Sequence, residues 1–153
     1  MANWVEREAR RQIIMMRDGP ELWRNLKMAV ETAINSWRRI YCHPQARELE
    51  YERCLDITEN CFRVRRIPGP QEKERYFEVL YYPDTGLISV RPKEYGKTLT
   101  MNVTAEGTIT LIEPSNGGEP ETPFTVDDAS RYLLKPFLDE FGLRKPLVAL
   151  ADI

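Results

Sequence analysis

Few residues in this chain are equipped for chemistry. It has one histidine, His43, next to Cys42, and two further cysteines, Cys54 and Cys61. A nucleophile–base pair would need a cysteine, this histidine and an orienting acid. Neighbours on a helix point about 100° apart, so the Cys42 thiol and the His43 ring do not meet by adjacency alone. His43 reads more simply as a helix C-terminal residue that satisfies carbonyls and the helix dipole. The same four residues are zinc-ligand types at the wrong spacing, since structural zinc sites pair cysteines about two to four residues apart. Free, buried thiols serving as small hydrophobes account for the cysteines without a metal. Gly117-Gly118 comes nearest to a phosphate-binding turn, but no basic residue follows it, and Glu119, Glu121, Asp127 and Asp128 would repel an anion. The acids Glu48, Glu50, Glu52 and Asp56 read as a solvated strand edge rather than a cation site. The balance leans away from catalysis: no catalytic residue and no metal ligand is assigned, and no cofactor is implied.

Binding chemistry is better supplied. Strand alternation sends Phe62, Val64, Phe77, Val79, Tyr81, Leu99, Met101 and Val103 to one face of a sheet. The other face collects Arg63, Arg65, Tyr76, Glu78, Leu80, Tyr82 and a run of threonines. Arginines pair with phosphates and aromatic rings stack on bases, so Arg63, Arg65, Tyr76 and Tyr82 suit weak single-stranded nucleic-acid binding. The same face can receive a protein. Its plainest account is internal: Arg63 or Arg65 pairs across strands with Glu78, and threonines suit a solvated strand. A separate reading places a small-molecule or enzyme pocket between the long helix and the sheet, lined by Trp23, Trp37, Tyr41 and Tyr81.

These surfaces depend on the elements that carry them. From Arg75 to Glu113, short runs rich in β-branched and aromatic residues alternate with turn chemistry at Pro83-Asp84-Thr85-Gly86, Tyr95-Gly96 and Glu106-Gly107. That is a β-meander. Cys61 to Ile67 adds a strand, and residues 45–57 alternate well enough to make their second half another. Upstream, Val5, Ala9, Ile13 and Met16 recur at helical spacing over residues 3–17. Asp18-Gly19-Pro20-Glu21 reads as the end of that helix and the capped start of the next. The helix over 20–41 carries a continuous apolar stripe from Leu22 to Tyr41 and is long enough to lid the meander. A polar linker over 113–124 leads to a helix over 125–142, capped by Thr125, which Pro136 should kink or split after Lys135. The apolar tail, 143–153, needs somewhere to dock.

At 153 residues the chain suits one domain, 1–153, whose sheet spans 49–113. With 22 basic and 24 acidic side chains it has no global attraction for nucleic acid or for an anionic membrane. No apolar run approaches the 20 or so residues of a membrane span. An odd cysteine count and a charged start point to the reducing cytoplasm. The expected fold is α+β: N-terminal helices and a C-terminal helix on one face of an antiparallel meander of about five strands. The expected function is a non-enzymatic, homodimeric protein-interaction module that uses the outer sheet face and the apolar tail, with a protein client as partner.

Overall fold

The computed structural model describes residues 2–43, 48–54, 60–67, 73–114, 122–142 and 144–153. The Pro68-Gly69-Pro70 loop, Gly117-Gly118 and most of the 113–124 linker lie outside these residues, as does the stretch after Cys54 in 45–57.

One helix, α1 (Trp4–Tyr41), is followed by six strands: β1 (Leu49–Arg53), β2 (Cys61–Arg66), β3 (Arg75–Tyr82), β4 (Leu87–Arg91), β5 (Thr98–Val103) and β6 (Ile109–Ile112). A second helix, α2 (Val126–Asp139), comes after them. The strands pair in sequence order, every neighbour antiparallel, which is the expected meander with β1 completing it. Both helices cover the same sheet face. Phe62, Val64, Phe77, Val79, Tyr81, Ile88, Leu99, Met101 and Leu111 point inward to meet Trp23, Leu26, Val30 and Ile34 of α1 and Leu133, Leu134 and Phe137 of α2. Each such side chain contributes about 1.5–3 kcal/mol on leaving water, so this two-layer core is the main stabilising element. Thr125 caps α2, its hydroxyl accepting from the Asp128 amide at 3.0 Å.

The break expected at Asp18-Gly19-Pro20 is absent. α1 runs through it as one helix of 38 residues, about 57 Å long at the usual rise. Pro20 removes the amide that would bond the Met16 carbonyl. Pro20 and Met16 are both exposed, which puts the missing bond on the solvent side of α1. Gly19 is buried for a different reason: a β-carbon there would lie 2.7 Å from the Tyr81 hydroxyl. The glycine marks a close approach to the sheet, not a terminus. Pro136 likewise fails to split α2, which continues to Asp139. Its lost bond concerns the Tyr132 carbonyl, on a half-buried residue.

α1 is much longer than the sheet is wide. Six strands at about 4.8 Å spacing span about 24 Å. The helix contacts β5 and β6 at one edge and β1 at the other, and its buried residues run only from Ile14 to Ile34. No residue from 4 to 10 is even half-buried. The first turns are therefore solvent-facing, with Glu6, Ala9 and Arg10 bordering a groove beside Glu106 and Gly107. They open with a capping box in which Asn3 Oδ1 accepts from the Glu6 amide and Glu6 Oε2 from the Asn3 amide.

Candidate functional site

The open face of the sheet is built in rows by the strand register. Glu50 pairs with Arg65 and then Tyr76; Glu52 pairs with Arg63, Glu78 and Arg91. These alternating charges form a ladder. Arg63 reaches Glu52 and Glu78, both at 3.6 Å; Arg65 reaches Glu50 at 3.6 Å and Glu74 at 3.3 Å; Arg91 reaches Glu78 at 3.4 Å. The Arg63 guanidinium also lies 4.7 Å over the Tyr76 ring. Arg63 and Arg65 are thus engaged by carboxylates across strands, as the internal account of this face expects. Tyr76 and Tyr82 are close to half exposed. Beyond the ladder the face turns neutral, with Leu80 opposite Ser89 and the row Tyr82, Leu87, Thr100, Ile112.

The four aromatic residues of the pocket reading separate into two clusters. Trp23 and Tyr81 are core residues, 5.3 Å apart, and Trp23 stacks on Phe62 at 5.6 Å. Trp37 and Tyr41 pair at 5.5 Å near the C-terminal end of α1, where Phe141 closes on Trp37 at 4.8 Å. A groove of about 650 Å³ runs along α2 instead, lined by Lys97, Phe124, Arg131, Tyr132 and Lys135. Lys97 sits 4.8 Å over the Tyr132 ring, and Lys135 is held by Asp139 at 3.0 Å. Sequence reasoning missed this groove because it depends on Phe124 joining the sheet edge through its bridge to Leu111.

The two ends of α1 carry a different kind of surface. At its start Trp4, Val5, Ile13 and Met16 are 71, 53, 63 and 76 % exposed. At its end the tail docks by its backbone: the Leu147 amide donates to the Ile40 carbonyl at 2.7 Å, and Arg39 donates to the Asp152 carbonyl at 2.9 Å. Arg144 anchors it from the side, bonded to Glu48 at 2.6 Å and lying over the Trp37 and Phe141 rings. The apolar side chains of this tail do not join the core: Leu147, Leu150 and Ile153 all remain exposed.

The cysteines correct one expectation. Cys42 is free and buried at the end of α1, and burial, then the Glu48 charge, push its thiol up, away from nucleophilic use. Cys54 and Cys61 are joined as a disulfide, not free hydrophobes. A separation of seven residues said little by itself. Once β1 and β2 form a hairpin, those two positions are its closing ends. His43 is exposed.

Among the described residues no helix is long and apolar enough to cross a membrane. Comparisons of the chain with protein-family models, with curated proteins and with solved structures find no match.

Proposed function

We propose that this protein is a non-enzymatic interaction module that works as a homodimer, built by the two ends of α1. One observation carries the reading: among the described residues, seven of the ten exposed large apolar side chains lie at the start of α1 and on the tail bound to its end. A two-fold axis across the middle of the helix sets two copies antiparallel and lays each start on the partner's tail. One operation then covers both patches twice, as an isologous interface requires. A stable interface needs about 800 Å² from each partner, and seven large side chains at these exposures present roughly that area. The open sheet face stays free for a protein client, its charge ladder internally neutralised. We place the protein in the cytoplasm on its odd cysteine count, with the disulfide a reversible one.

Sedimentation equilibrium of the full chain tests this. The expected result is twice the chain mass at tens of micromolar, falling to one chain in Ile13→Glu/Met16→Glu and shifting towards it when 147–153 is removed. A wild-type monomer, or a dimer indifferent to both changes, overturns the reading.

A second reading, a small-molecule binder, is favoured by the α2 groove, whose volume falls in the usual ligand range and whose lining combines aromatic rings with three cationic side chains and the carboxylates of Asp128 and Asp139. Its signature is a ligand-dependent rise in Tm that Tyr132→Ala abolishes.

A further inference from the structure

The β1–β2 hairpin holds a group that the interaction reading leaves unused. Cys54 follows β1 and Cys61 opens β2, with Cα atoms 5.7 Å apart and the sulfurs bonded. Both sulfurs face one carboxylate: Glu78 Oε2 lies 3.5 Å from Cys54 Sγ and 3.8 Å from Cys61 Sγ. The Glu78 side chain is only 10 % exposed. The charged groups around it are Arg63 from β2, at 3.6 Å, and Arg91 from β4, at 3.4 Å, with Glu52 of β1 acting through Arg63. The two guanidiniums explain how a carboxylate is tolerated there. They do not explain its contact with sulfur. A disulfide has no proton to donate, whereas a thiol donates and a carboxylate accepts. The contact is favourable only when the pair is reduced.

We propose that Cys54 and Cys61 form a reversible dithiol–disulfide centre in which Glu78 takes the thiol proton. The centre lies on the sheet face that carries no helix, and Cys54, the less buried of the two, is the thiol that attacks first. In the oxidising direction Cys54 gives its proton to Glu78 and its thiolate attacks one sulfur of a small disulfide such as oxidised glutathione. The first glutathione leaves with that proton. Cys61 then loses its own proton to Glu78, attacks the mixed disulfide on Cys54 and expels the second glutathione. One disulfide forms as another breaks, and two electrons and two protons pass from the protein to the reagent. The same three ligand atoms lie within 4.8 Å of one another, so a metal ion held by the reduced pair is the competing outcome that the test must separate.

The test follows oxidation of the reduced full chain by oxidised glutathione from pH 6.5 to 9.5, with thiols counted by alkylation and mass spectrometry. In wild type two thiols should disappear and return on adding dithiothreitol without unfolding, Cys42 remaining as the internal control. Glu78→Gln should oxidise at least tenfold more slowly at pH 6.5 and at the wild-type rate by pH 9.5, where hydroxide replaces the carboxylate. A purely structural role would slow both ends alike. A disulfide that resists dithiothreitol in the folded protein overturns the proposal without any variant. Parallel pH profiles overturn it too, as does a reduced protein that binds one zinc ion and then resists alkylation.

Discussion

The Tyr81 hydroxyl occupies the space beside Gly19, 2.7 Å from where a β-carbon on that residue would stand. Tyr81 is 4 % exposed and packed on Trp23, so it has little freedom to withdraw. Two effects therefore oppose each other at position 19. Alanine gains about 1 kcal/mol of helix propensity over glycine, while overpacking a closed core costs about 1–3 kcal/mol. Gly19→Ala should lower Tm, because the clash involves a buried ring. Removing the offending oxygen in Gly19→Ala/Tyr81→Phe should bring Tm back to or above wild type. Thermal melts of the single and double variants decide it; a Gly19→Ala protein at least as stable as wild type would mean that the helix shifts freely over the sheet.

That contact also shows where local sequence signals stop. The apolar stripe of α1 and the alternation of β2 to β6 were readable because burial imposes periods of 3.6 and 2 directly on the residues. Gly19-Pro20 looked like punctuation, since the pair has the same composition whether it ends a helix or lets one approach Tyr81. The ion ladder was half legible: Arg63 opposite Glu78 follows from alternation, but Arg91 needs the β3–β4 register. Cys54 and Cys61 gave no signal until the hairpin brought them together. The exposure of Ile13 and Met16 was invisible for the opposite reason. Their spacing is that of a core-facing stripe, but the two residues between them, Ile14 and Met15, take the core side of α1 and leave Ile13 and Met16 on its outer side.

Two tyrosines tie the stability of the fold to alkaline pH. Burial first, and then the bond it donates to Glu140 at 2.8 Å, pushes Tyr95 up to about 12. Burial, followed by the Glu31 charge, pushes Tyr51 up to about 12 as well. Both start from 10 in the unfolded chain. Between those values the unfolded chain has lost protons that the fold retains, so this contribution to stability is whole below pH 10 and is lost as pH rises through 12. Melts at stepped pH should show Tm falling above pH 10, and less steeply in Tyr95→Phe. An unchanged slope in that variant would remove Tyr95 from the account.

The capping box at Asn3 matters more than most caps because every residue in the first turns of α1, from 4 to 10, is exposed. Asn3→Ala should cost about 1 kcal/mol locally and lower helicity by circular dichroism. It should leave Tm almost unchanged in the Ile13→Glu/Met16→Glu background, where the arm has no partner. In the dimer the same loss should weaken association by about fivefold per arm. A variant that loses helicity without loosening the dimer would show that the first turns lie outside the interface.

Arg144 links the tail to the domain through three neighbours at once: Glu48 by charge, Trp37 and Phe141 by their ring faces. Its side chain is 27 % exposed, so the pair with Glu48 is better shielded than a surface salt bridge. Arg144→Ala should destabilise by about 1–2 kcal/mol through the lost charge-assisted bond and cation–π contacts. Arg144→Lys should recover only part, because an ammonium keeps the charge but lacks the planar fork that both stacks and bonds. The local readout is hydrogen exchange at the Leu147 amide, whose bond to the Ile40 carbonyl holds the tail on α1. Exchange should quicken in Arg144→Ala even in the monomeric Ile13→Glu/Met16→Glu background, since the anchor is within one chain. In the wild-type background the dimer should weaken in the same order, Ala more than Lys. If Leu147 stays protected in Arg144→Ala, the tail is held by its backbone bonds alone, and any loss of dimer would have to arise from Trp37 and Phe141 repacking.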